Sequence, residues 1–137
     1  MKHYFHIPCN TKYLKDARRF LNDVLNHYNL KDLDQNEIVL AVDEVCANVI
    51  IHSSNNDPQQ TIELNVDHSD DKLIFEIIDS NGSSDFDINK YTGPAIDEII
   101  KTRKKGGVGI MLVKKIMDKI EMTKSKGRNI CRLYKNI

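Results

Sequence analysis

The 137-residue chain has no tryptophan, only three cysteines, three prolines and six glycines, and no excess of either charge. Cys9, Cys46 and Cys131 are far apart and include no C-x-x-C pair, so the sequence offers no disulfide framework. No window approaches the roughly 20 apolar residues of a membrane span. The opening "MKHYFHIPCN" lacks the apolar core of a signal peptide. A reducing cytoplasm is the expected setting, without a membrane partner. Lys plus Arg and Asp plus Glu number 20 each, so the net charge gives no ground for a direct nucleic-acid partner. Repeats, low-complexity tracts and linkers are also missing, which predicts a single domain over residues 1–137.

What is present is the ordinary balance of a globular domain, with 40% hydrophobic and 29% charged residues. The charges are unevenly spread. Residues 101–128 hold ten Lys or Arg against Asp118 and Glu121 alone, and the rest of the chain carries the acidic surplus. A basic segment against an acidic body suits a phosphate-bearing ligand or an acidic partner, or simply a solvated lysine-rich helix and turn.

"KHYFHIP" alternates and stops at Pro8, which predicts a first strand. Leu14, Ala17, Leu21, Val24, Leu25 and Tyr28 recur at helical spacing, with Asn10 or Thr11 as the cap. A second helix is expected over "DLDQNEIVLAVDEVCANVIIH", with Asp34 and Glu37 as a capping pair and Ile38, Ala41, Val45 and Val49 as its apolar stripe. "TIELNVDH" alternates strictly, "SDD" turns the chain, and "KLIFEIID" reads as a central strand. A short helix from Pro94 and a long one over "VGIMLVKKIMDKI" follow, the latter with Ile110, Val113 and Met117 on one side. "IEMTKS", a turn at "KGRN", and "ICRLYKNI" form a closing hairpin. Paired helices and paired strands in this order predict an α+β fold: a two-layer sandwich with helices on one face of a mixed, mostly antiparallel sheet.

Three stretches carry chemistry. In "DEVCANVIIHSS", Glu44, Asn48 and His52 are four apart, and each step of four turns a helix by about 40°. The three polar residues therefore share a side, away from the apolar stripe. An amide oxygen beside a carboxylate can hold a hydrated cation and orient a hydroxyl, or the pair can simply face water. Asp79 ends "KLIFEIID" before a Gly-containing turn, where a carboxylate can accept from an amino-bearing heterocycle or cap its own turn. In "KKGGVGIMLVKK", Gly106, Gly107 and Gly109 lead into a helix whose first N–H groups can meet a phosphate. Lys104 and Lys105 stand just before it as counter-charges.

Taken in this order, the three stretches resemble the ATP-binding fold of gyrase-type ATPases, histidine kinases and mismatch-repair ATPases, the GHKL superfamily. "DEVCANVIIHSS" looks like its N box, "IIDSNG" like the first glycine box and "GGVGIMLVKKIMD" like the second. The two preceding helices and the ending "NICRLYKNI" resemble most closely the anti-sigma factor serine-protein kinases. The resemblance covers nearly the whole chain, and its N box and second glycine box are the specific parts.

The resemblance implies ATP and Mg²⁺ as cofactors, with Asn48 as the metal ligand and Glu44 as the general base on a serine hydroxyl; Asp43 is the less favoured substitute. Asp79 would accept from the adenine amino group, and Gly107, Val108 and Gly109 would cradle the phosphates by their backbone amides. Lys104 and Lys105 would meet the terminal phosphate, residues 81–105 would form the lid over the nucleotide, and Asn129 is a further adenine-pocket candidate. The implied partners are a sigma factor and an anti-sigma-factor antagonist, and a homodimer is a common assembly of the family. One box departs from the pattern: Asn81 and Ser83 stand at its two glycine positions, with Gly82 between them as the remaining candidate for nucleotide contact. That departure motivates a second reading, a module that binds nucleotide weakly and acts by sequestering a partner. A sensor histidine kinase would need a dimerising helix pair with a phosphoacceptor His, and a gyrase or repair ATPase would need further domains.

Overall fold

The computed structural model describes residues 2–53, 57, 59–79 and 105–137, with backbone alone at 52, 53 and 105–109. Five strands form one sheet: β1 (His3–Pro8), β2 (Thr61–Ser69), β3 (Lys72–Asp79), β4 (Lys119–Ser125) and β5 (Arg128–Asn136). The sheet order is β1-β2-β3-β5-β4, and every pairing among the described residues is antiparallel. Three helices, α1 (Leu14–Leu25), α2 (Asp32–Asn48) and α3 (Lys105–Ile116), complete the two-layer α+β sandwich. The short helix expected from Pro94 lies outside the described residues.

Strand alternation decides the two faces of the sheet. Ile62, Leu64 and Val66 of β2, Leu73, Phe75 and Ile77 of β3, and Cys131 and Leu133 of β5 point to the helices and are buried. They meet Leu21 and Leu25 of α1, Ile38, Val42 and Val45 of α2, and Ile110 and Val113 of α3 in one core. α1 lies over β1, α2 over the middle of the sheet, and α3 against α2.

The helix ends differ from the sequence expectation in three places. Asn10 does act as a cap, its side chain accepting from the Lys12 N–H at 3.0 Å, but it opens a 3₁₀ turn (Thr11–Tyr13) before α1. α2 starts at Asp32 rather than after Asp34, with Lys31 at the cap position and no side-chain cap bond. Asp32 and Asp34 instead sit in its first turn, where negative charge is favoured by the helix dipole. α3 ends at Ile116, four residues short of the expected Ile120. The cause is tertiary: the Asp118 N–H donates to the Tyr134 carbonyl at 2.9 Å, and the Asp118 carboxylate accepts from the Asn136 N–H at 2.7 Å. Strand pairing thus captures the chain that the helical pattern would have continued.

The two hairpin turns fall where the sequence puts them. Asp70 takes φ 54° between β2 and β3, and Lys126 and Gly127 take φ 53° and 74° between β4 and β5. In the β4–β5 turn, positive φ at both central residues is the type I′ signature, whose twist matches the flanking strands.

Candidate active site

Helix α2 carries the acid–amide pair. Asn48 is its last regular residue and is only 5% exposed. Its Nδ2 donates to the Glu44 carbonyl oxygen at 2.7 Å. That bond occupies the NH₂ end of the amide and directs Oδ1, the atom a cation would use, away from the carbonyl. Directly after Asn48 the chain enters a π-helical turn, Val49–Ser53. Such single turns interrupt α-helices often at functional sites. The apolar run "VII" gave no sign of it. Its consequence is that the constant helical step stops at Asn48, so the even spacing of Glu44, Asn48 and His52 holds only for the first two. The His52 side chain lies outside the described residues.

Glu44 is half-buried, and burial, with the neighbouring Asp43 carboxylate, pushes its pKa above the usual carboxylate range. Asp43 is raised by burial too, but the guanidinium of Arg18 on α1 counters this, with Nη1 at 3.1 Å from Oδ1. Among the described residues no cation pairs with Glu44. The two adjacent carboxylates thus differ: Asp43 ties α2 to α1, and Glu44 makes no such tie to a described residue. Arg18 was not singled out in the sequence; its only signal there is a place on the polar face of α1.

Asp79 ends β3 on the helix-facing side and is 2% exposed. In register across from it on β5 stands Asn129, 7% exposed and on the same side. Thr61, separated from the end of α2 by residues 49–60, stands at the end of β2 that flanks Asp79 through the Ile62–Asp79 pair. Asp79 and Asn129 therefore share one end of the sheet. Buried polar side chains are costly unless satisfied. Among the described residues there are four, Asn48, Asn65, Asp79 and Asn129, and three of them are sequence-identified candidates.

α3 begins at Lys105, so Lys105 is the first helical residue rather than the last loop residue. Gly106, Gly107 and Gly109 lie inside the first turns, with Val108 between them. The first four N–H groups of a helix have no intrahelical acceptor and form an anion site by geometry and dipole. Small residues here leave that backbone open to approach. Gly82, Lys104, and residues 81–104 of the proposed lid lie outside the described residues. Among the described residues, no group of three or more His, Cys, Asp or Glu is placed to hold a metal ion.

The chain is similar to known proteins over most of its length. The chain is 28% identical over 123 residues to the serine-protein kinase RsbW of Halalkalibacterium halodurans, covering 88% of this chain and 75% of that protein. It is 28% identical over 127 residues to RsbW of Staphylococcus epidermidis, covering 90% and 80%. Among solved structures, it matches the RsbU and RsbW domains of a Mycobacterium tuberculosis protein with a TM-score of 0.68 at 14% identity, covering 99% of this chain and about a third (32%) of that one. It also matches the SiaB–SiaC complex of Pseudomonas aeruginosa with a TM-score of 0.60 at 12% identity, covering 98% and 89%. Both show the same fold. The histidine kinase-like ATPase domain family matches residues 7–135, and the chain belongs to that family.

Proposed function

We propose that this chain is an ATP-dependent serine-protein kinase and anti-sigma factor, which binds a sigma factor and phosphorylates an anti-sigma-factor antagonist. The observation that carries it is Glu44: a half-buried carboxylate with a raised pKa and no cation partner among the described residues, one helical turn before the buried amide of Asn48. A raised pKa makes a stronger base, better matched to a hydroxyl proton near neutrality. The relatives named serine-protein kinases lend the same reading.

In this reading the Asp79 carboxylate accepts from the exocyclic amino group of adenine, with Asn129 opposite it as a second polar contact. Asn48 would hold a magnesium ion through Oδ1, an oxygen donor of the kind Mg²⁺ takes. The amides at the start of α3, at Gly107, Val108 and Gly109, receive the phosphates, and Lys104 and Lys105 offset their charge. When bound, Mg-ATP supplies the transferable phosphoryl group and neutralises its charge. Glu44 orients the serine hydroxyl of the substrate protein and takes its proton as the oxygen attacks the γ-phosphorus. The bond from that phosphorus to the β,γ-bridging oxygen breaks, and ADP leaves. The cytoplasm is the compartment that suits such a switch; no described helix is long and apolar enough to cross a membrane.

The test is transfer of the γ-phosphate of ATP to a serine of the cognate antagonist. Transfer by the native chain and its loss in Glu44→Gln is the expected result; an active Glu44→Gln variant rejects the proposed base. A second reading rests on Asn81 and Ser83 at the glycine positions of the middle box: a module that sequesters its partner with weak nucleotide binding or none. Absence of both heat and thermal shift with Mg-ATP would favour that module.

A further inference from the structure

Helix α2 uses two of its sides for packing. Ile38, Val42 and Val45 are buried in the core beneath it. Asp43 and Gln35 reach α1, the first through Arg18 and the second through Asn22, whose Oδ1 accepts from Gln35 Nε2 at 3.1 Å. The side turned away from the core is built otherwise. Leu33, Glu37, Leu40 and Glu44 follow one another at steps of four, three and four, which keeps them within about 60° on a helix. Leu33 is 68% exposed and Leu40 is 42% exposed. Glu37 makes no ion pair with a described residue. The whole of α2 contains no Lys or Arg. The stripe therefore reads apolar, acid, apolar, acid, and it leads to Glu44.

We propose that this stripe is the docking surface for the serine-bearing segment of the protein substrate, and that it selects apolar side chains flanking a Lys or Arg. The inference rests on the kinase reading, in which Glu44 receives the serine hydroxyl. A protein that brings a serine to Glu44 must cover the surface around it, since a standard interface takes about 800 Å² of each partner, a patch roughly 30 Å across. At 1.5 Å per residue, Leu40, Glu37 and Leu33 stand about 6, 10 and 16 Å from Glu44 along the helix axis. All three fall under such a substrate. Covering the two leucines removes apolar surface from water. Glu37, between them, attracts a cationic side chain and repels an acidic one, so its charge sets specificity more than affinity. A second copy of this chain, meeting the stripe with its own α2, would oppose acid to acid. The stripe suits a partner of the other sign.

The experiment measures transfer of the γ-phosphate of ATP to the cognate antagonist by the native chain, Leu33→Gln/Leu40→Gln and Glu37→Lys. ADP binding and thermal unfolding are measured on each. None of the three residues belongs to the core, so the variants keep the fold. The expected result is a KM for the antagonist raised about tenfold in each variant, with kcat and ADP affinity retained. Each Lys or Arg flanking the phosphorylated serine of the antagonist is also replaced by Glu in turn. One such replacement is expected to impair transfer by the native chain and to restore it with Glu37→Lys. A native KM in both variants, while the native chain transfers phosphate, overturns the docking surface and leaves the kinase reading standing. Failure of every charge exchange overturns the role of Glu37. A fall in kcat and ADP affinity at unchanged KM would place the stripe in the nucleotide site and also overturn the proposal. A native chain that transfers nothing overturns the kinase reading and this inference together.

Discussion

Arg18 on α1 holds the carboxylate of Asp43 at 3.1 Å, while its sequence neighbour Glu44 carries a raised pKa and pairs with no cation among the described residues. In the proposed function the two adjacent acids differ in role, Asp43 structural and Glu44 catalytic. The expected outcome is asymmetric. Glu44→Gln should lower phosphotransfer by about 10²- to 10⁴-fold, the usual range for removal of a general base, with nucleotide binding retained. Asp43→Asn should cost far less activity and instead lower the unfolding midpoint in urea. Equal losses of activity in the two variants would contradict the assignment.

The pH dependence of stability has a definite sign. Burial and the Asp43 carboxylate raise the Glu44 pKa in the folded state above its ordinary value. The folded protein therefore holds this proton more tightly than the unfolded chain. The resulting stability is fully present below the unfolded pKa and is lost as pH rises through the folded pKa. Gln has no such titration. Urea unfolding at pH 4 and pH 7 should show Glu44→Gln gaining stability relative to the native chain as pH rises; a relative loss would contradict the raised pKa.

Asp79 is the one carboxylate among the described residues that is almost fully buried. If it receives the adenine amino group, Asp79→Asn removes a charge-assisted hydrogen bond worth about 1.5–3 kcal/mol. ADP affinity should fall by roughly 10- to 100-fold. Thermal unfolding of the variant without nucleotide separates this from a folding defect. Unchanged affinity in a folded variant would remove Asp79 from the site.

The layers of the fold were legible because period and burial agree. Ile62, Leu64 and Val66 alternate and all face the core, and the stripe of Ile38, Ala41, Val45 and Val49 is buried as read. Turns were legible where a residue demands a special backbone, as Gly127 does. What sequence missed were effects of distant partners. Asp118 leaves the helical pattern because Tyr134 and Asn136 bind it. The π turn hides in an apolar run that suits either helix equally. The distinction between Asp43 and Glu44 depends on Arg18, which lies 25 residues away on another helix.

The claim that binds the account together is that the buried amide of Asn48 serves a magnesium nucleotide. Calorimetric titration of the full chain with ADP, with and without Mg²⁺, tests it most directly when repeated on Asn48→Ala. The variant also loses the 2.7 Å bond to Glu44, so a fall of about 1 kcal/mol in stability is expected and is checked by unfolding without ligand. The account predicts that the native chain binds ADP more tightly with Mg²⁺, and that a folded Asn48→Ala chain loses this Mg²⁺-dependent increment. A native chain indifferent to Mg²⁺, or an Asn48→Ala chain that retains the full increment, would contradict it.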